Sequence, residues 1–186
     1  MRKPVTPRED AVRSAAGVFR EHGFEGASVT RLAAATGLGR SSLYHYFPNG
    51  KPEMAAEAAR LAADDFVRLV IDPLKAPGDP AARLRRAIQG LDRFYQGGAE
   101  ACLIEHFSVA DGAAAAPEAS RQMAEAALQG FAGLAIAAGA PRKDAEARAE
   151  RALVDIQGAL VLSRALSDFK PFRNALKGLP EVLLPG

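Results

Sequence analysis

The chain has 186 residues and a formal net charge of +2, and 48% of its residues are hydrophobic, which suits one or two domains with a real core. Its single cysteine, Cys102, excludes an internal disulfide, and its three scattered histidines predict no metal site. No signal peptide is evident and the longest apolar run, residues 131–138, is too short for a bilayer, so we expect a cytoplasmic protein.

The first predicted element is a helix near the amino terminus. The segment Thr6-Pro7-Arg8-Glu9 matches a capping box with proline at the first helical position. The helix is expected to run to about His22, because Gly23 is a typical residue for ending a helix.

Two shorter helices follow, and their spacing predicts a helix-turn-helix. Ser28 is a suitable N-cap for a helix over residues 29–36, which Gly37 ends. A third helix over residues 40–46 is expected to point Leu43 and Phe47 into the core. Its other face then exposes hydroxyl and aromatic side chains, as in helices that enter the DNA major groove.

The rest of the chain also predicts helices, and no strand pattern appears, so the expected fold class is all-α. Alanine dominates the apolar residues and β-branched residues are sparse, which favours packed helices over sheets. Apolar spacing and glycine or proline breaks place these helices at about residues 51–71, 80–96, 101–110, 117–138 and 144–167, with a short one at 172–176.

Residues 6–54 resemble the TetR family of bacterial transcriptional regulators. The resemblance lies in Phe19, Gly23-Phe24, Ser28-Val29, Leu32-Ala33, Gly37-Leu38 and Leu43-Tyr44-His45-Tyr46-Phe47, with Lys51 beyond. It implies a three-helix DNA-binding head over residues 1–50 and a helical-bundle effector and dimerisation body over residues 51–186.

Two features depart from the commonest family pattern. Gly39 stands where members often have a serine or threonine whose hydroxyl can touch phosphate. The turn from Phe47 to Lys51 is one residue longer than usual. This proline-glycine turn is similar to that of the LmrA/YxaF-like subgroup, whose members regulate efflux pumps and detoxification genes.

Candidate contacts to double-stranded operator DNA lie on the second and third helices. Tyr44 can stack on a thymine methyl group or donate to phosphate, and serines and arginines can reach base edges or the backbone. The predicted DNA-binding residues are Thr30, Arg31, Arg40, Ser41, Ser42, Tyr44, His45, Tyr46 and Lys51. Residues 1–51 carry eight Lys/Arg and four Asp/Glu, a net charge of +4, whereas the remainder carries 16 and 18, a net charge of −2.

Large side chains among the alanines of the body predict an effector cavity. The expected lining is mostly apolar with Tyr95 and His106 as polar groups, which suits a small apolar or aromatic molecule and needs no cofactor. The predicted lining residues are Phe66, Phe94, Tyr95, Cys102, His106, Phe107 and Phe131. Cys102 and His106 share one helix face, so packing in the core and metal or thiol-redox sensing remain alternatives.

A homodimer is expected because twofold operators call for two heads. The predicted interface is a stripe on the last long helix, where small residues permit close helix approach: Leu153, Ile156, Gly158, Ala159 and Leu160. Packing of this stripe within one subunit is the alternative.

The resemblance implies a DNA-binding regulator, most simply a repressor that a small molecule releases from its operator. An activator with the same DNA chemistry is the first alternative. A helical ligand carrier or enzyme is the second, and it lacks support because no catalytic or metal constellation is evident in the sequence.

Overall fold

The computed structural model describes residues 8–100 and 116–184, and within them every regular element is helical. They group into two compact units, one of residues 8–63 and 116–121, the other of residues 64–100 and 122–184. In the described part of the chain, no helix combines the length and hydropathy needed to cross a membrane.

The first unit contains three helices and most of a fourth. They are α1 (Arg8–Gly26), α2 (Val29–Thr36), α3 (Arg40–Tyr46) and α4 (Lys51–Phe66). Gly23 has φ 67° and ψ 179°, so α1 kinks at the predicted end and continues for one more turn. The kink turns Phe24 back into the core, where its ring stacks on Phe19 with centroids 6.2 Å apart.

The α2–α3 junction forms as the sequence predicts. Ser28 Oγ accepts a hydrogen bond from the Arg31 backbone N–H at 3.2 Å and so caps α2. Gly37 ends α2 with φ 67°, a left-handed conformation that costs glycine little. Gly39 is the N-cap of α3 and provides no side-chain hydrogen bond.

The second unit is built from the end of α4 onward. A π-helical turn (Val67–Ile71) continues α4 directly, and it leads into α5 (Asp72–Lys75) and α6 (Pro80–Phe94). A 3-10 turn (Gln96–Gly98) follows α6, and the later helices are α7 (Ala116–Ala137), α8 (Arg142–Leu166) and α9 (Lys170–Leu183). The helix predicted at 101–110 lies outside the described residues.

Two predicted boundaries in this unit differ from the structure. Residues 72–75 lie between the helices predicted at 51–71 and 80–96, but they form the short helix α5, which continues the helical run of the π-helical turn and holds Pro73 near its start. The last helix has 14 residues because Phe172, Leu176, Leu179 and Leu183 keep one buried face. The predicted helix over 172–176 was therefore too short.

The π-helical turn packs against Gly90 of α6. A Cβ atom added at Gly90 would lie 1.8 Å from the Leu69 carbonyl oxygen and 2.6 Å from its carbonyl carbon. Only glycine therefore fits where the two backbones meet, and the close approach fixes α6 against this turn.

Gly90→Ala is expected to lower the free energy of unfolding by roughly 1–3 kcal/mol, because backbone atoms cannot rotate away from the new methyl group. Thermal unfolding measures this as a drop in Tm of about 3–10 °C. The matched control is Gly133→Ala in α7, where the added Cβ meets nothing within 4 Å beyond the adjoining backbone of its own helix. The control should leave Tm equal or slightly raised, and a Gly90→Ala protein as stable as the parent would contradict the close packing.

Candidate nucleic-acid interface

Helix α3 presents one buried edge and one exposed face. Leu43 and Phe47 are buried, and the Phe47 N–H donates to the Leu43 carbonyl oxygen at 2.8 Å. The predicted contact residues on the other face are exposed: Arg40, Ser41, Ser42, Tyr44 and His45. Tyr44 has 52% of its surface exposed, which is high for so large an aromatic residue in a globular protein. The face therefore offers hydroxyl, imidazole and guanidinium groups on a firmly held helix.

The start of α3 is joined to the start of α2 by a side-chain contact. Arg40 Nη2 donates to Thr30 Oγ1 at 2.8 Å, and both residues are exposed. These two predicted contact residues therefore lie side by side. Arg31 is also exposed, and its Nη1 donates to the Gly26 carbonyl oxygen at 3.0 Å, which holds it over the turn before α2.

Lys51 makes contacts within its own chain. Its Nζ donates to the Phe24 carbonyl oxygen at 2.9 Å and lies 4.2 Å from the centroid of the Phe24 ring. A lysine ammonium has three donors, so one contact to backbone leaves donors for another acceptor. Lys51 thus joins the start of α4 to the end of α1 as well as being a predicted phosphate contact.

The turn between α3 and α4 brings its glycine close to Tyr44. Gly50 has φ 67°, and a Cβ atom added there would lie 3.3 Å from Tyr44 Cε1. The proline-glycine turn therefore supplies a left-handed residue and leaves room for the tyrosine ring. Tyr46 is half-buried, and its ring meets His45 edge-on with centroids 5.9 Å apart.

The sequence pattern indicates a place for Arg8 in the capping box, and the structure gives it a further role. Arg8 reaches the end of α3 and two carboxylates of α4, Glu53 and Glu57. The four-residue spacing of those carboxylates places them on one helix face, and this spacing is the one sequence feature that indicates a basic partner there. The arginine that they meet lies more than 40 residues away in sequence, so no local pattern identifies it.

The predicted effector residues that the structure describes are buried in the second unit. Four aromatic rings form a chain of edge-on contacts, in the order Phe66, Phe94, Tyr95 and Phe172. The centroids of successive rings lie 5.3, 4.9 and 5.7 Å apart. Phe131 is also buried, and Gln157 Nε2 donates to the Tyr95 hydroxyl at 3.4 Å. The three others, Cys102, His106 and Phe107, lie outside the described residues.

A groove of about 540 Å³ lies between α7 and α8, apart from the described effector candidates. Its lining is Leu128, Gln129, Ala132, Gly133, Ile136, Arg142, Glu146, Ala149 and Glu150.

The predicted dimer stripe largely faces the interior of its own unit. Ile156, Ala159 and Leu160 are buried, Leu153 is half-buried and Gly158 is exposed. The buried positions of α8 recur three or four residues apart from Ala145 to Ser163, and the stripe follows that line. The exposed apolar residues of α8 lie elsewhere on the helix, at Val154, Val161, Leu162 and Leu166.

Residues 11–58 match the family model described as bacterial regulatory proteins, tetR family. The repressor AcnR of Corynebacterium efficiens is 41% identical over 67 residues, which are 36% of this chain and 34% of that protein. YxaF of Bacillus subtilis, an uncharacterized HTH-type transcriptional regulator, is 28% identical over 82 residues, 44% of this chain and 43% of that protein. The chain thus spans between a third and a half of the length of these relatives.

A TetR transcriptional regulator from Legionella pneumophila has a similar solved structure. The TM-score is 0.82 at 14% identity, over 98% of this chain and 100% of that chain, which shows a shared fold. The family model covers α1, α2, α3 and the first half of α4, the helices that hold the exposed face of α3. Residues 11–58 therefore match the tetR family of bacterial regulatory proteins.

Proposed function

We propose that the chain is a DNA-binding transcriptional regulator, a repressor that inserts α3 into the major groove of its operator. The observation that carries this proposal is the exposed face of α3, which lies within the residues that match the tetR family model. The name of the relative AcnR, a transcriptional repressor, supports repression over activation. An enzyme or ligand carrier is disfavoured because the relatives are named as regulators.

The chemistry of α3 suits base and phosphate contacts in one groove. Ser41 and Ser42 are short hydroxyl side chains that can donate to or accept from base edges. Arg40 at the amino end can reach guanine or phosphate, and Tyr44 offers a flat ring for a thymine methyl group. The net charge of +4 over residues 1–51 adds attraction to the DNA backbone that is independent of sequence.

Tyr44→Ala is expected to remove specific binding while leaving the fold intact, because Tyr44 is 52% exposed whereas Leu43 and Phe47 form the buried edge of α3. A base contact is worth about 1–3 kcal/mol, so losing one in each half-site weakens operator binding roughly 30-fold or more. Fluorescence anisotropy with the DNA upstream of the protein's own gene, together with circular dichroism, measures both effects.

Tyr44→Phe is the matched variant, since it keeps the ring and removes only the hydroxyl group. It should bind more tightly than Tyr44→Ala if the ring contacts a base. A Tyr44→Ala protein that binds the operator as tightly as the parent would remove α3 from the DNA interface.

The proposed regulator acts as a homodimer, with residues 1–50 as its DNA-binding head and residues 51–186 as its effector and dimerisation body. The structure supports an interface on the solvent side of α8, where Val154 and Val161 are seven residues apart and share one face. Val154 is 60% exposed, and Leu162 and Leu166 continue the exposed apolar surface. Gly158 lies between the two valines, consistent with close approach of a second helix.

Val154→Arg is expected to give a folded monomer, because a charge on an exposed position disturbs association and leaves the core unchanged. Leu160→Arg, in contrast, should unfold the chain, since Leu160 is buried. Light scattering and thermal unfolding separate these results. The matched control is Val67→Arg, another exposed valine, which should remain a dimer. A folded Val154→Arg dimer would place the interface elsewhere.

The proposed effector is a small apolar or aromatic molecule held in the body. The edge-on rings of Phe66, Phe94 and Tyr95 supply the apolar chemistry, and the Tyr95 hydroxyl supplies a polar group. The effector would release DNA by binding more tightly to the arrangement of the heads that does not fit the operator.

His106→Phe and Phe107→Ala are expected to alter ligand-driven release while operator affinity changes less than about threefold, because neither residue lies within residues 1–50, which hold the proposed DNA contacts on α2 and α3. A screen of lipophilic compounds by anisotropy on the protein–operator complex measures release in the parent and both variants. Release only by a phosphorylated polar metabolite, or unchanged release in both variants, would contradict this pocket.

A further inference from the structure

We propose that Arg8 is a positioning residue that fixes the carboxyl end of α3 against α4 and thereby sets the angle at which α3 meets DNA. This inference rests on the proposed DNA-binding function. The assignment comes from one guanidinium group that contacts two helices and the turn between them.

The guanidinium group of Arg8 reaches three acceptors. Its Nε donates at 3.5 Å to the carbonyl oxygen of Tyr46, which is the last residue of α3. Its Nη2 lies 3.4 Å from Glu53 Oε1, and its Nη1 lies 3.1 Å from Glu57 Oε2. The group also lies 5.0 Å from the centroid of the Phe47 ring. Arg8 therefore joins the start of α1, the end of α3 and the first turns of α4.

Glu53 extends the same contact into the α3–α4 turn. Its Oε1 faces Arg8, while its Oε2 accepts a hydrogen bond from the Asn49 N–H at 2.9 Å. Both oxygens of Glu53 are therefore used, one toward α1 and one toward the turn. This arrangement fixes the path of the chain between Tyr46 and α4.

The geometry explains why an arginine suits this position. A guanidinium group offers five donors in one plane and can lie against an aromatic ring at the same time. A lysine ammonium is a single point of charge on a flexible chain, and it cannot hold three acceptors in this fork. Arg8→Lys therefore keeps the charge and loses the geometry.

Helix α3 needs such support because it has only seven residues. A helix this short is not stable alone, and its last carbonyl groups have no partner within the helix. Leu43 and Phe47 hold its inner edge, and Arg8 supplies a donor to its carboxyl end.

The Arg8–Glu57 contact is ionic at neutral pH. The hydrogen bond from Arg8 is the main reason that the pKa of Glu57 lies below its ordinary value, although burial opposes it. Arg60, one turn further along α4, lowers the pKa of Glu57 as well. Because the Arg8 side chain is 42% exposed, solvent screens this contact and its effect on overall stability should be small.

The decisive variant is Glu57→Gln, because two accounts predict opposite signs for it. Removing a negative charge from a DNA-binding unit should strengthen binding if only charge matters. If Glu57 acts by holding Arg8, operator binding should weaken, by about tenfold, while binding to unrelated DNA does not weaken.

The experiment measures affinity for operator and for unrelated DNA, each against salt concentration, and thermal unfolding. The variants are Arg8→Gln, Arg8→Lys, Glu57→Gln and the double variant Arg8→Gln/Glu57→Gln. The Arg8 variants disrupt all three contacts of the guanidinium group and Glu57→Gln disrupts the shortest of them, so each is expected to lose about tenfold in operator affinity. The double variant should lose no more than Arg8→Gln, because Glu57 acts through Arg8. The matched control is Arg13→Gln, five residues along α1, where Arg13 pairs with Glu9 on the same helix.

Three results would overturn the inference. If Glu57→Gln and Arg8→Lys both bind operator as tightly as the parent, Arg8 has no positioning role. If the slope of log affinity against log salt concentration falls by about one unit in Arg8→Gln and does not change in Glu57→Gln, Arg8 is a direct phosphate contact. A parent chain that selects no operator overturns the proposed function and this inference together, whereas the first two results leave the proposed function standing.

Discussion

The burial of Leu43 and Phe47 is the constraint on which the candidate DNA interface depends. Helix α3 is too short to be stable alone, so it forms only where its inner edge is packed. That packing leaves Tyr44 and the two serines exposed to solvent on the opposite face. One pair of buried side chains therefore both forms the helix and determines which residues it presents to solvent.

Turn chemistry then sets where this face can point. Gly37 and Gly50 take left-handed conformations on either side of α3, and Gly50 also leaves space beside the Tyr44 ring. Side-chain contacts add to these turns, since Arg40 bonds to Thr30 of α2 and Lys51 bonds to the Phe24 carbonyl. The face is thus held by backbone geometry at both ends of the helix.

Elements with local signals could be predicted from sequence, and those set by distant contacts could not. The bounds of α2 and α3 follow from Ser28, Gly37 and Gly39, residues adjacent to the helices that they limit. The π-helical turn packs closely against Gly90 of α6. Neither the sequence of the turn nor that of α6 indicates this contact by itself.

The buried face of α8 is another feature that the sequence alone could not assign. Helical spacing identifies Leu153, Ile156 and Leu160 as one stripe, but the sequence does not say whether a stripe meets the same chain or a second one. The structure buries Ile156 and Leu160, while Val154 and Val161 remain exposed. Arg8 was missed for a related reason, because its partners are on α3 and α4.

The most direct test of the central claim is selection of bound sequences from a random library of double-stranded DNA. Two α3 helices in one dimer should enrich one sequence with twofold symmetry, whose half-sites lie about 34–36 Å apart so that the helices enter successive major grooves. Tyr44→Ala, selected in parallel, should enrich no such sequence. Failure of the parent chain to enrich any sequence, or enrichment of the same sequence by Tyr44→Ala, would contradict the account.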